Sequence, residues 1–372
     1  MITVKEVTTS SDFKKFVKFP FSLYKDSPYW VPPIINDELE TFNKDKNPAF
    51  KSASAWFFLA YKNNTLVGRV AAIVNHIEVT QQQVSKMRFG WFDFIDDDEV
   101  SKALLEKVKE IGAKHELSYM EGPVGFSNLD KVGVLIEGFD HIGTMITWYN
   151  HPYYANHYEK HGFIKEKEYM ENKFPFSNAK TEHFERINEL IKKRYQLRPL
   201  NFTKTKDVMP WVDQMFALFN ASYASLSSFV PITAIQQEYF KKKYISFINP
   251  EYIKFVVDKD DNLVAFSIVM PSFSKALQKA KGKLLPFGAF HLLKAKKNSK
   301  DVIFYLIGVH PDYQNKGVTA IIFNECYKTF KAKEIETCIR TPELEDNIAI
   351  KQIWKHFGPI VHKRRRTYKK NI

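Results

Sequence analysis

The sequence predicts an α/β protein built from two similar halves, each with a mixed sheet flanked by helices. A strand–turn–strand pattern occurs in both halves, with Leu66 and Leu263 at equivalent places 197 residues apart. A helix that closes on glycine ends each half, at Gly162 and Gly358, which are 196 residues apart. Strands alternate with amphipathic helices between these points. This repetition indicates two tandem α/β domains.

The first half begins its sheet with residues 56–74, which form two strands around the polar turn Asn63-Asn64. RFGWFDF, at 88–94, is the next strand. The helix after it carries Val100, Leu104 and Val108 on one stripe. We therefore expect one sheet with this helix packed on it.

The second half repeats the order. Residues 252–270 form a strand–turn–strand, VIFYLIGV at 302–309 is a strand, and a helix with apolar residues at helical spacing follows from 317 to 330. The polar stretch FSNAKTE at 176–182 separates the halves. We predict domains at 1–178 and 179–372.

Residues 274–300 have no counterpart in the first half and combine lysines with leucine and phenylalanine. Three interpretations stay open: an insertion that packs on its own domain, a lid over a substrate site, and an element that lies on a membrane surface. Pro286 and Gly288 argue against one continuous helix.

Composition limits the class of protein. The 372 residues include two cysteines, too few for a disulfide framework, and no apolar run reaches the ~20 residues of a membrane span. The first residues have no apolar core typical of a signal peptide. We expect a reduced, soluble, cytoplasmic protein, and the sequence does not predict its oligomeric state.

The net charge of +13 is unevenly distributed. Residues from 179 onward hold 34 Lys and Arg against 18 Asp and Glu, whereas the preceding residues hold 21 against 24. A basic half suggests an anionic partner, which can be a phosphorylated cofactor, a nucleic acid or a membrane surface. A merely solubilising lysine surface is the alternative.

The residues most informative about chemistry are YLIGVHPDYQNKGVT, at 305–319. A strand ends at Val309, and Gln314-x-x-Gly317-x-Thr319 opens a helix. This order directs backbone N–H groups and the positive end of a helix dipole into one small space. Gly317 lets the backbone approach an anion, and Lys316 adds positive charge. The turn suits a pyrophosphate.

These residues resemble the GNAT superfamily of acyl-CoA N-acyltransferases. Val309, Pro311, Gln314 and Gly317 match the family's strand, Val-x-Pro and Gln/Arg-x-x-Gly-x-Gly/Ala signature, and Thr319 departs from it. The resemblance implies two tandem GNAT-like domains, each with a mixed, mostly antiparallel sheet flanked by helices. It also implies that acetyl-CoA or another acyl-CoA is bound.

The resemblance continues to the end of the chain. Asn347, Trp354 and Gly358 fall where the family often has Asn, a helix Tyr and Gly. The residues that the resemblance assigns to the cofactor are Gly308, Val309, Gln314, Asn315, Lys316, Gly317, Val318, Thr319, Asn347 and Trp354.

The first half has the family's terminal segment but not its phosphate turn. Tyr158, Gly162 and Phe163 match, yet Asp96–Glu99 stand at the helix start where the turn is expected. Carboxylates there stabilise a helix but repel a pyrophosphate. We therefore expect a degenerate first domain without a CoA site.

The resemblance leaves several candidates for the catalytic residues. The family often uses the helix Tyr to protonate the departing thiolate, whereas an indole at Trp354 cannot be an acid. Another tyrosine then substitutes, with Tyr305, Tyr313 and Tyr368 as candidates, unless the chemistry needs no acid. Asp301 is a candidate base that acts through water.

Candidate substrate contacts precede the hairpin of the second half, where the family's substrate loops lie: Asn220, Tyr223 and Ser225. The function implied is acyl transfer, most simply of acetyl, from CoA to an unidentified small-molecule or peptide amine. Two alternatives stay open, a catalytically silent CoA-binding sensor or scaffold and a transferase that uses aminoacyl-tRNA.

Two further groups of residues have side chains suited to other chemistry. His157 and His161 have metal-ligand spacing, but no third ligand can be named, so we predict no metal site. The basic run 362–366 suits nucleic acid, the CoA 3′-phosphate or solvent.

Overall fold

The computed structural model describes residues 1–127, 129–178, 181–226, 229–245 and 248–372; Ala179 and Lys180, beside the predicted boundary, lie outside this range. The strands are β1 (Ile2–Glu6), β2 (Ala53–Lys62), β3 (Thr65–Asn75), β4 (Lys86–Phe94), β5 (Tyr119–Gly122), β6 (Val134–Glu137), β7 (Ile164–Pro175), β8 (Arg198–Asn201), β9 (Ile253–Val257), β10 (Leu263–Pro271), β11 (Asp301–Val309), β12 (Thr337–Arg340), β13 (Glu343–Leu344) and β14 (Ile360–Asn371). The α-helices are α1 (Ser10–Leu23), α2 (Ile35–Thr41), α3 (Asp98–Lys114), α4 (Tyr154–Lys160), α5 (Thr181–Tyr195), α6 (Thr205–Val208), α7 (Val212–Tyr223), α8 (Ala234–Phe240), α9 (Ser274–Ala280), α10 (Gly288–Asn298), α11 (Thr319–Ala332) and α12 (Ile348–Trp354).

The chain forms two compact units that are not simply the two sequence halves. The first unit contains Met1–Met170, Phe273–Leu292 and His362–Ile372. The second contains Glu171–Ser272 and Leu293–Val361. Two segments from the second half of the sequence thus belong to the first unit, because contacts between residues far apart in the chain, which no local pattern encodes, decide where they pack.

The sheet of the first unit has the order β1-β2-β3-β4-β5-β14, and β6 also pairs with β14. Its β4–β5 pair is parallel and the other pairs are antiparallel. The C-terminal strand completes this sheet, with Tyr368 opposite Gly122. The core lies between the sheet and α3 and includes Phe89, Leu104 and Tyr158.

Helix α3 begins at the acidic turn. The Asp97 side chain accepts a hydrogen bond from the Glu99 N–H at 3.0 Å, which satisfies one of the free donors of the first turn. Asp98 and Glu99 add negative charge at the positive end of the helix dipole. The carboxylates therefore serve the helix itself.

The sheet of the second unit has the order β7-β12-β11-β10-β9-β8. Only β11 and β12 are parallel among its registered pairs in the described residues. Helix α11 packs on one face, and the core includes Val302, Phe304, Phe323 and Trp354. Both sheets are mixed and mostly antiparallel, which confirms the predicted fold class.

The glycines predicted to end the terminal helices do so. Gly162 and Gly358 have φ of 76° and 56°, a left-handed conformation that glycine adopts without steric cost. Within the described residues, no helix is long and apolar enough to cross a bilayer.

The basic run near the C-terminus is largely engaged in the first unit. Lys363 and Arg365 are only 2% and 1% exposed, and they donate to the carbonyls of Ile142 and Trp148, each at 2.6 Å. Arg364 and Arg366 form ion pairs with Glu168. Alternation along β14 thus turns half of the run inward.

Candidate functional site

Strand β11 of the second unit continues past the end of its parallel neighbour β12. Their parallel pairing ends where Phe304 lies opposite Arg340. The Thr341 N–H still donates to the Phe304 carbonyl at 3.3 Å, and no registered β12 partner follows among the described residues. The β10–β11 register shifts at the same level, so Tyr305 is the extra residue of a bulge. The strand from Tyr305 to Val309 thus has no registered strand partner on its β12 side among the described residues, and we call this edge of β11 the opening.

The turn after this strand has the backbone form that the sequence predicts. A 3₁₀ turn covers Pro311–Tyr313, Asn315 and Gly317 have φ of 60° and 76°, and α11 begins at Thr319. Gln314 Nε2 donates to the Val309 carbonyl at 3.3 Å and closes the turn.

Several backbone donors of this turn remain available. Among the described residues, the N–H groups of Gly317, Val318 and Thr319 have no hydrogen-bond partner, whereas the Ala320 N–H donates to the Gly317 carbonyl at 2.9 Å. These free donors stand at the start of α11, where the helix dipole is positive. An anion that accepts from them would be bound by both effects.

Gly317 is required for a reason other than the one expected. A Cβ at this position would lie 3.3 Å from Cδ1 of Ile191 on α5, so that side of the glycine faces a packed helix. The positive φ adds strain for any other residue. Glycine therefore shapes the turn and its contact with α5 rather than clearing space for an anion.

The charge of the turn is mixed. Lys316 is exposed, and its Nζ lies 5.5 Å and 5.4 Å from the ring centroids of Tyr195 and Tyr313. Burial and then the carboxylates of Asp258 and Asp312 raise the pKa of Tyr313. The positive potential of Lys316 and the helix start is thus offset by nearby acidic groups.

Trp354 lies in the core beside Phe304, at the end of the β11–β12 pairing. Its ring centroid is 4.8 Å from those of both Phe304 and Phe323, and the Arg340 guanidinium lies 4.7 Å from it. Its Nε1 is buried and has no hydrogen-bond partner among the described residues. A buried N–H donor without a partner is costly, and the described residues offer no acceptor for this one.

Two predicted cofactor residues have structural roles. A Cβ on Gly308 would lie 2.4 Å from Phe266 Cε1 and 2.7 Å from Ser222 Oγ, so close packing requires glycine. The Asn347 side chain accepts from the Ile350 N–H at 3.1 Å and caps α12.

Of the three candidate catalytic residues, two lie on β11 in the second unit and the third lies in the first unit. Asp301 begins β11, and Val309 ends it, about 26 Å away at ~3.3 Å per residue. Tyr305 lies at the bulge beside the opening. Tyr368 belongs to the core of the first unit, 1% exposed and stacked on Tyr158 with ring centroids 4.7 Å apart. Asp301 thus lies at the end of β11 away from the turn, and the Tyr368 ring is packed in the core of the first unit.

Of the three candidate substrate residues, Tyr223 reaches β11. Its hydroxyl donates to the Ile307 carbonyl at 3.0 Å, and burial raises its pKa to about 12. The Asn220 amide is occupied by both backbone groups of Ile232, at 3.1 Å and 2.9 Å. Ser225 is exposed in the turn after α7.

The acidic turn of the first unit is bound to basic side chains. The Asp96 carboxylate lies 2.9 Å from His157 Nε2, and the Asp97 carboxylate lies 2.6 Å from Lys62 Nζ. The Asp98 carboxylate lies 3.1 Å from the Lys160 ammonium. Hydrogen bonding from Lys62 holds the pKa of Asp97 below its usual range. A pyrophosphate would have to compete with these pairs.

The structure supplies the third potential metal ligand that the sequence could not name. Ligand atoms of Asp98, His157 and His161 lie within 4.8 Å of one another. However, the Ser101 hydroxyl lies 2.8 Å from a ring nitrogen of each histidine, and Lys160 pairs with the carboxylate. Hydrogen bonds thus account for these atoms, and the absence of a metal stays a prediction.

A small cleft in the first unit was not foreseen. Its walls include Tyr24, Trp30, Arg69, Asp93 and Trp148. Arg69 and Asp93 form a buried ion pair at 2.7 Å, and the Tyr24 hydroxyl donates to Asp93 at 2.7 Å. Residues from α1, β3 and β4 meet here, so no local pattern in the sequence could indicate it.

The sequence did not indicate the side chains that pack beside the opening. Arg340 is 3% exposed, pairs with Glu343, and packs over Trp354; burial lowers its pKa to about 9. Thr341 continues the edge through its bond to Phe304. The signal was weak, a single arginine at the end of an apolar strand.

Comparison with known proteins supplies distant relatives. No family model matches the chain. It is 26% identical to Protein YghO of Escherichia coli (strain K12), over 99% of this chain and 95% of that protein. It is 24% identical to a bacterial ceramide synthase of Caulobacter vibrioides (strain NA1000 / CB15N), over 84% and 82% of the two chains.

Solved structures show the fold. A tandem GNAT protein from the clavulanic acid biosynthesis pathway superposes with a TM-score of 0.58 at 10% identity, covering 100% of this chain and 98% of that one. A GCN5-related N-acetyltransferase from Sphaerobacter thermophilus gives 0.53 at 8% identity, covering 100% and 95%. The chain has the tandem GNAT fold, which confirms the resemblance seen in its sequence.

Proposed function

We propose that this protein is an acyl-CoA-dependent N-acyltransferase whose cofactor binds the second unit. The observation that supports this most is the row of unpartnered N–H groups at Gly317, Val318 and Thr319, which follows the strand edge that we call the opening. The donors fit a pyrophosphate.

The residues of the second unit have distinct roles in this proposed reaction. CoA supplies the acyl group as a thioester. The N–H groups of the turn bind the pyrophosphate, with Lys316 as a screening cation. Trp354 Nε1 donates a hydrogen bond to the sulfur or the carbonyl oxygen, which is the acceptor that this buried donor lacks. Tyr223 holds β11 through Ile307.

The chemistry then needs only a neutral amine. Its nitrogen forms a bond to the thioester carbon, the carbon–sulfur bond breaks, and the amine proton leaves to water or buffer. The thiolate takes a proton from solvent or from Tyr305, the candidate acid that lies at the opening. Holding the two reactants together supplies much of the rate enhancement in such a reaction.

For the acceptor we propose a long-chain amino alcohol and for the donor a long-chain acyl-CoA. The support is the similarity to a bacterial ceramide synthase across most of both chains. Ceramide is the amide of a fatty acid with such an amine. This proposal extends the simplest expectation, acetyl transfer, to longer chains.

The test measures free CoA thiol after mixing the full-length protein with acetyl-CoA or palmitoyl-CoA, each with sphinganine or with glucosamine as a soluble amine. Release with palmitoyl-CoA and sphinganine supports the proposal in full. Release with another pair supports acyl transfer and overturns the acceptor. Binding of CoA without release under every pair indicates the sensor alternative, and retention of aminoacyl-tRNA without CoA binding indicates the tRNA-dependent alternative.

A further inference from the structure

Large apolar side chains on the surface concentrate in one segment. Leu284, Leu285, Phe287, Phe290 and Leu293 are 39%, 79%, 69%, 63% and 64% exposed. Five exposed large hydrophobic residues within ten positions are unusual, because isolated ones are normal on protein surfaces but clusters mark interaction sites. We call these five residues the apolar ridge.

Helix α10 presents two distinct faces. Gly288 and Leu292 are buried, whereas Phe290 and Leu293 point outward. The outward apolar residues therefore are not part of the core of the protein. They continue the loop residues before the helix, so loop and helix expose one run of apolar side chains.

The segment before the apolar ridge is held firmly in the first unit. The Ser274 hydroxyl donates to the Gly143 carbonyl at 2.8 Å, and Gln278 Nε2 donates to the carbonyls of Pro28 and Trp30 at 2.8 Å and 3.0 Å. A Cβ on Gly282 would lie 2.5 Å from the Phe21 ring. These contacts agree with a packed insertion up to Gly282, after which the chain turns outward.

Lysines surround the apolar ridge. Lys281 and Lys283 precede it, and Lys294 and Lys297 follow on the same helix, all exposed. Phenylalanine and leucine with flanking lysines are the composition of segments that lie in a membrane interface, where the rings enter the acyl region and the ammonium groups meet lipid phosphates.

We propose that the apolar ridge docks this protein on an anionic membrane surface. The charges favour a bilayer over a second copy of the chain, since two copies joined here would bring like-charged lysines together while the chain already carries +13. Of the three interpretations of residues 274–300, this one accounts for both the exposure and the charge. It does not depend on the proposed acyl transfer.

Vesicle flotation of the full-length protein tests the proposal. Vesicles contain phosphatidylcholine alone or with phosphatidylglycerol as about a third of the lipid, at low and high salt. We expect binding to the anionic vesicles that weakens in salt, because screening shortens the reach of the lysine charges. The double variant Phe287→Ser/Phe290→Ser should lose at least about tenfold in partition coefficient.

Matched controls separate this surface from general effects. Ile164→Ser removes another exposed apolar side chain of the first unit, 62% exposed, and should bind like the parent. Lys294→Glu/Lys297→Glu should lose the preference for anionic vesicles, whereas Lys102→Glu on α3 should keep it. Circular dichroism and thermal unfolding verify that each variant is folded.

Three results would overturn the proposal. The first is absence of binding by the folded parent protein. The second is binding that the Phe287→Ser/Phe290→Ser variant retains in full. The third is a dimer in sedimentation that this variant dissociates, which would assign the apolar ridge to a second copy. CoA release with soluble substrates is measured in parallel without vesicles, so loss of docking and loss of acyl transfer are distinguished.

Discussion

Replacing Gly317 by glutamate should weaken CoA binding by at least about tenfold while the protein still folds. Any side chain at φ 76° adopts the left-handed conformation, which costs about 1–2 kcal/mol, and the new Cβ must also displace Ile191 by a few tenths of an ångström. That cost falls on stability and is shared by Gly317→Ala.

The glutamate adds a charge term that alanine lacks. One carboxylate about 6 Å from a pyrophosphate with two negative charges repels it by about 1.4 kcal/mol even with the screening of water, which is roughly tenfold in affinity. Calorimetric titration with CoA should therefore rank the parent above Gly317→Ala and that variant about tenfold or more above Gly317→Glu.

The control is Asn64→Gly, which relieves a left-handed residue in the β2–β3 turn of the first unit and should leave CoA affinity unchanged. Thermal unfolding supplies the second measurement, since CoA at 100 times its Kd should raise the unfolding free energy of the parent by about 2.7 kcal/mol. Equal CoA affinity of the parent and a folded Gly317→Glu variant would refute the assignment of the cofactor to this turn.

Three other outcomes are expected. Trp354→Phe should keep most of the packing against Phe304 but lower the rate of CoA release, because the Nε1 donor is lost; an unchanged rate would show that this donor has no part in the reaction. Asn347→Ala should lower the unfolding free energy by about 1 kcal/mol in urea titrations through loss of the α12 cap, whereas Asn347→Asp should not. Burial raises the pKa of Glu121, but the ammonium groups of Lys86 and Lys167 outweigh it and bring this pKa down to about 2. The unfolded chain therefore binds more protons, so a contribution to stability on the order of 3 kcal/mol is present above about pH 4.5 and is lost as pH falls toward 2. Glu121→Gln should flatten this part of the stability–pH curve.

Features that depend on neighbouring residues were predictable. The turn at 310–318 follows from the glycine and the polar residues between a strand and a helix, and its backbone conformation is as expected. The helix stops at Gly162 and Gly358 follow from the same local rule. The repeated order of strands and helices was enough to predict two tandem α/β domains.

Side-chain roles within the site were less predictable, because one residue type serves several purposes. The sequence predicts ligand contacts at Asn220 and Asn347. In the structure their amides bind backbone groups of a loop and of a helix start. Gly317 was expected to clear space for an anion, and it packs against α5 instead. A sequence shows which groups can donate or accept, but their partners depend on the packing of distant elements.

The sequence by itself determined the fold class, the phosphate-like turn and the acidic helix start that replaces this turn in the first unit. Only the tertiary structure decided that the C-terminal strand completes the first unit, with Tyr368 in its core and the basic run half-buried. The physical reason is the range of the interactions. Turns and caps depend on residues a few positions apart, whereas β14 pairs with β5 across more than 200 residues of chain.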